Sequence, residues 1–205
     1  MSRDPISHTR REQTRHERGA QTRRLRIIAG RWRGRRWQFP AGEIRPTSDR
    51  VRETLFNWLQ GRIAGRRCLD LFAGSGALGL EALSRGAAQC VFVDRDPRAL
   101  AAIGAVLRDW GAEPDLARLE GGSAEQYLAR PGQRFDLVFL DPPFAGGALA
   151  ACVAGLEGGG WLGPGSLIYV EHPRGPAAAD LPPGWKALRT GTAGAVGYDL
   201  YERRP

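Results

Sequence analysis

The sequence predicts an open, doubly wound α/β sheet, and three observations lead there. Short, almost continuously apolar runs, among them CLDLF (68–72), CVFVD (90–94) and FDLVFL (135–140), alternate with segments of helical length. That is the pattern of a parallel sheet covered on both faces. A glycine turn, Gly74-x-Gly76-x-x-Gly79, follows the first run. Acids close the ends of successive runs, at Asp70, Asp94 and Asp141, where open α/β sheets bind their ligands.

The elements follow in order. Residues 1–24 are polar, charged and without period, and are expected to form a disordered Arg-rich tail. Asp4, Glu12 and Glu17 argue against an organellar presequence. Residues 25–45 are expected to form a basic N-terminal β-hairpin, with Ile27-Ile28 and Trp37-x-Phe39 flanking a centre from Gly30 to Gly34. Residues 46–205 are expected to form the α/β domain. Pro46-Thr47-Ser48-Asp49 offers caps for a helix over about 50–60, whose inward stripe is Val51, Leu55, Trp58 and Leu59. Strands are predicted near 67–72, 90–94, 116–120 and 135–140, and helices near 77–85, 97–110, 123–129 and 146–156. A fifth strand, Leu167 to Glu171, follows Gly163-Pro164-Gly165, and 185–189 with 196–202 reads as a closing pair.

With 205 residues the chain suits one domain with a full core plus extensions. No apolar run approaches the roughly 20 residues of a membrane span, and no signal peptide is expected. Three scattered cysteines fit a reducing cytoplasm better than a disulfide framework. His8, His16 and His172 are too dispersed for a metal site, and a monomer is expected. The charge is unevenly placed. Residues 1–45 carry 13 Arg against 4 acids, a net +9, whereas the rest of the chain is close to neutral. Such asymmetry points to a polyanionic partner. Arg31, Arg33, Arg35 and Arg36 would grip phosphates, and Trp32 and Trp37, interleaved with them, would both stack on bases and anchor the hairpin, the two roles divided between its faces. Arg45 and Arg50 would extend the same basic patch.

The glycine turn and Asp94, 20 residues after Gly74, match a dinucleotide fingerprint, and alone they would support an NAD-dependent oxidoreductase. Asp70 shifts the balance. A carboxylate inside the end of the first strand would repel a pyrophosphate and attract a cation. S-adenosylmethionine is such a ligand, with a sulfonium and an ammonium group but no phosphate. Phe72, Ala73, Gly74, Ser75 and Gly76 would let the backbone approach its methionine portion, Asp94 with its neighbour Arg95 would meet the ribose, and Ser123 and Ala124 the adenine. Asp141-Pro142-Pro143-Phe144 then supplies chemistry. An exocyclic amine on a base is a poor nucleophile, because its lone pair is delocalised into the ring. The Asp141 carboxylate and the Pro142 carbonyl can each accept an amine hydrogen and so aim that lone pair. The prolines hold the backbone rigid, and Phe144 offers a flat face for a base swung out of its stack.

D-P-P-F resembles the catalytic motif of methyltransferases acting on exocyclic amines of adenine or guanine. RIIAGRWRGRRW, RPTSDRVRETLFNWL, CLDLFAGSGALGLEALSRGA, FDLVFLDPPF and GWLGPGSLIYVE together resemble one family, the bacterial 16S ribosomal RNA guanine-966 N2-methyltransferases, over about residues 25–205. The resemblance implies a Rossmann-like class I methyltransferase sheet, mostly parallel with an antiparallel closing strand. It implies methyl transfer from S-adenosylmethionine to a guanine N2 in small-subunit rRNA, on an assembled or assembling subunit. Ser123 stands where that family carries Asn or Asp, and residues 1–24 extend beyond its core. A DNA or RNA adenine-N6 methyltransferase would use the same tetrad, although no separate target-recognition domain is visible. A non-catalytic RNA-binding protein would account only for the arginines.

Overall fold

The computed structural model describes residues 22–40, 48–144, 147–175 and 181–205. The expected tail up to residue 21, the cap candidates Pro46 and Thr47, and Arg45 lie outside the described residues.

Strands β1 (Thr22–Arg26) and β2 (Arg36–Pro40) form an antiparallel hairpin in which Leu25 faces Trp37. Thr22, Arg23 and Arg24 therefore belong to a strand rather than to the tail, while Ile27 and Ile28 lie in the connection. The reason is pairing: a polar segment without period of its own is held by the ladder to β2. Helix α1 (Asp49–Trp58) starts where the Ser48 hydroxyl accepts the Val51 amide at 3.3 Å. Val51, Leu55 and Leu59 are buried as expected, and so is Arg52.

The larger sheet follows from β3 (Arg67–Asp70), β4 (Gln89–Asp94), β5 (Ala117–Gly121), β6 (Phe135–Leu140), β7 (Leu162–Pro173), β8 (Trp185–Ala193) and β9 (Val196–Arg203). Its order is β5-β4-β3-β6-β7-β9-β8, parallel from β5 to β7, with β9 antiparallel to both β7 and β8. Helices α2 (Ala77–Ser84), α3 (Pro97–Asp109), α4 (Ala124–Leu128) and α5 (Ala148–Gly158) connect the parallel strands. Side chains alternate across a strand, so each one contributes to two cores. Cys68, Phe92, Leu137, Phe139 and Tyr169 pack with α1, α2, α3 and the hairpin. Leu69, Val91, Val138, Leu140 and Val170 pack with α4 and α5 on the other face. The three cysteines are buried and free, and burial pushes their thiols upward.

β7 begins earlier than its sequence suggests. The register slips between Phe135 and Leu137, which absorbs Gly163-Pro164-Gly165 as a bulge. Pro164 offers no ladder N–H, Gly165 turns at φ +81°, and the Ser166 hydroxyl bridges the gap by donating to the Phe135 carbonyl and accepting from the Gly163 amide. Among the described residues no helix is long and apolar enough to cross a membrane.

Candidate active site

Chain order reverses between β3 and β6, so the loops leaving these adjacent strands diverge and open a crevice at their carboxyl ends. The acid after β6 thus leaves the sheet next to β3, the strand that runs into the glycine turn.

The turn after β3 is shaped by contacts on both sides. Ala73 N–H donates to the Val93 carbonyl at 3.0 Å, and Gly76 caps α2 at φ +75°, where a side chain would be strained. Gly79 has a different reason. A Cβ there would lie 2.2 Å from the Phe92 ring, so glycine lets α2 settle directly on β4.

Asp70 is only 2% exposed, beneath the turn, where its Oδ2 accepts the Gly79 amide at 3.1 Å. Burial raises its pKa to about 7, against the lowering effect of the Gly79 hydrogen bond, and the Asp94 charge adds to the rise. Asp94, half-buried at the end of β4, accepts the Gly74 amide at 2.7 Å and the Asp96 amide at 2.8 Å. An ionised carboxylate has about four lone-pair sites, so acceptor capacity remains for hydroxyls. Phe72 and Gly74 are partly exposed, Ala73, Ser75 and Gly76 are buried, and Arg95 is exposed. Ser123 caps α4: its hydroxyl accepts the Gln126 amide at 3.2 Å while its own amide donates to Gln126 Oε1 at 3.0 Å. Both groups are engaged in the helix start, and the Ala124 side chain is buried.

Asp141 is half-buried, Pro142 buried, and Phe144 46% exposed. Behind it lies a cavity of about 350 Å³, lined by Pro142, Pro143 and Phe144, by Gly147 to Leu149 at the start of α5, and by Glu171 to Gly175 at the end of β7. Glu171, near the end of a fourth strand, is an acid placed like those that close the other three. The same signal would have found it. His172, too far along the chain from the other histidines for a metal site, is clamped between backbone and an acid. Its Nδ1 lies 2.8 Å from the Pro173 carbonyl and its Nε2 3.1 Å from Asp199 Oδ2, which also accepts the Tyr201 hydroxyl at 2.8 Å. Among the described residues no cluster of His, Cys, Asp or Glu side chains is grouped to hold a metal ion.

The hairpin corrects one expectation. Trp32 is 5% exposed, with its ring centroid 5.3 Å from that of Trp110, and Trp37 packs on the same ring at 5.8 Å. Tryptophans this buried offer nothing for a base to stack on, so Trp32 and Trp37 are anchors and not base platforms. The ridge of charge is on the outside: Arg31, Arg33, Arg35, Arg36 and Arg50 are all exposed, and the Arg31 guanidinium lies 4.1 Å over the Trp32 ring. The anchoring also reaches the crevice, because Trp37 Nε1 donates to the Ser75 carbonyl at 2.9 Å.

The model of the family described as Conserved hypothetical protein 95 matches residues 25–202. The chain is similar to the Ribosomal RNA small subunit methyltransferase D of Escherichia coli K12, at 44% identity over 87% of this chain and 90% of that protein. It is 41% identical to the protein of the same name from Haemophilus influenzae, covering 87% and 93%. The solved Escherichia coli chain named yhhF superimposes with a TM-score of 0.83 at 44% identity, covering 89% of this chain and 99% of that one.

Proposed function

We propose a methyl-transfer function for this chain, which belongs to the family described as Conserved hypothetical protein 95: it methylates the exocyclic N2 amine of a guanine in small-subunit ribosomal RNA, using S-adenosylmethionine. The observation that carries the proposal is the junction of β3 and β6. It brings the glycine turn, Asp70, Asp94 and the Asp141–Phe144 tetrad to one end of the sheet, beside a cavity of about 350 Å³. The names of the similar proteins support rRNA as the substrate class.

The residues suit the cofactor. Bound S-adenosylmethionine supplies an electrophilic methyl group on a sulfonium. Asp94 keeps acceptor capacity for ribose hydroxyls, Gly74 and Gly76 place no side chain at their positions in the turn, and the Asp70 carboxylate beneath them ionises against a cationic ligand. Phe72, Ala73, Ser75 and Arg95 border this surface. Adenine recognition at residues 123–124 falls to backbone and shape, since the Ser123 hydroxyl is engaged in its cap. On the substrate side, Asp141 and the Pro142 carbonyl accept the amine hydrogens, Pro143 stiffens the loop, and Phe144 stacks on the base. Most of the rate enhancement then comes from positioning and preorganised electrostatics. Incubation with labelled S-adenosylmethionine and small subunits lacking the modification, followed by mapping of the labelled base, tests the whole reading. Label on a guanine N2 is expected; label on an adenine or on no rRNA base would refute it.

Asp70 gives the cofactor-free protein a pH signature. Its folded pKa, about 7, exceeds the unfolded value of about 4, so the folded chain binds the proton more tightly. The stability this contributes is fully present below about pH 4 and is lost as pH rises through about 7, at about 1 kcal/mol per pH unit within that window. Thermal melts of wild type and Asp70→Asn should therefore diverge with pH, the wild type losing ground as pH rises. Parallel profiles would show that Asp70 is ionised throughout.

The exposed arginines form the RNA surface in this reading, together with Arg50 and with Arg45, which lies outside the described residues. Replacing Arg31, Arg33, Arg35 and Arg36 by alanine should weaken RNA binding and leave cofactor affinity unchanged. Each phosphate contact removed should flatten the log–log salt dependence by about 0.7–0.9. A salt titration of RNA binding reads this directly, and superimposed lines for both proteins would mean the arginines are solvated surface.

A further inference from the structure

We propose that Glu171 is the specificity-determining residue of the pocket, its carboxylate accepting the N1–H of a guanine whose N2 amine lies against Asp141 and the Pro142 carbonyl. The inference rests on the methyl-transfer reading above and names what that site selects. The last paired positions of the adjacent parallel strands β6 and β7 are Leu140 and Val170, so Asp141, just past the end of β6, follows in step with Glu171, just before the end of β7. Strand alternation puts Glu171 on the face of β7 that carries Tyr169, and Asp141 lies near enough for its charge to act on the same phenol. Glu171 lines the same cavity as Pro142, Pro143 and Phe144, and it is only 5% exposed. The Tyr169 hydroxyl donates to Glu171 Oε1 at 2.8 Å and fixes the carboxylate. Burial, and then the charge of Glu171, keep that phenol protonated and therefore a donor. Glu171 makes a further interaction besides this one, and the four or so lone-pair sites of a carboxylate leave room for another donor.

Two carboxylates side by side make an acceptor-only wall. Guanine presents to it two adjacent donor groups, N1–H and the N2 amine, and each finds an acceptor. Adenine presents an amine and, next to it, the N1 lone pair, which would face the second carboxylate. An unpaired lone pair against a buried charge is strongly disfavoured. The wall thus chooses guanine by the proton on N1, independently of the amine that reacts.

The test separates those two features. Small subunits are reconstituted with rRNA carrying guanine, 2-aminopurine or adenine at the methylated position, and transfer from labelled S-adenosylmethionine is measured for wild type and Glu171→Gln. 2-Aminopurine keeps the reactive amine but has a lone pair at N1. Wild type should prefer guanine to 2-aminopurine by about 10- to 100-fold in kcat/KM, the size of one hydrogen bond to a charged group. Glu171→Gln, whose amide can donate to that lone pair, should reduce the preference to a few-fold, with an unchanged Kd for S-adenosylmethionine by calorimetry. A merely structural role would lower all activities together and leave the ratio in place. A Glu171→Gln protein that keeps the wild-type ratio overturns the proposal. So does a wild type that uses guanine and 2-aminopurine equally, a result that does not depend on how the variant folds. A wild type that methylates no guanine-bearing subunit overturns the methyl-transfer reading itself, and this proposal with it.

Discussion

Asp141→Ala should lower methyl transfer by about 10²–10³-fold, the usual loss when one preorganised polar group is removed from a reacting centre. The residue sits on the loop after β6, half-buried and beyond the last β6–β7 pair, Leu140 with Val170. The fold and the cofactor affinity should therefore survive the change, and the defect should appear in kcat. Single-turnover measurement with saturating S-adenosylmethionine and unmodified small subunits isolates the step. Phe144 supplies the companion result. Its ring is 46% exposed, so Phe144→Ala removes a contact surface and little core, while Phe144→Tyr keeps a flat ring and should retain activity. A folded Asp141→Ala protein with near-normal turnover would remove Asp141 from the chemistry.

Glu81→Ala should cost about 3–5 kcal/mol of stability, the penalty for breaking a buried ion pair on one side. Glu81 is fully buried on α2. Its carboxylate accepts the Ile28 and Ala29 amides at 2.8 and 3.0 Å and Arg85 Nε at 2.7 Å, and it faces Arg52 NH1 at 3.8 Å. Arg52 is equally buried, and its guanidinium also donates twice to the Arg26 carbonyl and once to Asp49. Removing the acid strands a buried cation and two backbone amides at the base of the hairpin. Denaturant unfolding should show the loss. Protease sensitivity should rise first around residues 26–35, because the hairpin is released from α2. Glu81→Gln, which keeps an acceptor but not the charge, should cost less. A loss below about 1 kcal/mol would mean that Asp49 alone balances Arg52.

The consequence for function is that the basic hairpin is not an independent appendage. Ser84 binds it at three points, through the Ala29 carbonyl and the Arg31 and Trp32 amides, and a Cβ at Gly30 would collide with the Ser84 carbonyl. Trp37 completes the link by binding the Ser75 carbonyl of the glycine turn. The surface proposed to hold RNA and the loop proposed to hold cofactor are therefore ends of one packed unit.

By itself the sequence determined the order of strands and helices from β3 to β9, the crevice at the β3–β6 junction and the tetrad beside it. These rest on local physics. Period-two and near-continuous apolar runs, glycines in a turn and prolines after a strand act over a few residues, whatever lies across the molecule. The tertiary structure decided what depends on partners distant along the chain. A tryptophan among arginines reads equally as a base platform or an anchor until Trp110 is seen against it. Arg52 reads as a surface cation on an amphipathic helix until Glu81, 29 positions away, is found in the same core. Glu171 reads as the end of a strand until pairing sets β7 beside β6 and its carboxylate into the wall of the cavity. Local preference names an element, but burial and charge pairing belong to the packed whole, since the energy of a buried group is set by neighbours that only folding assembles.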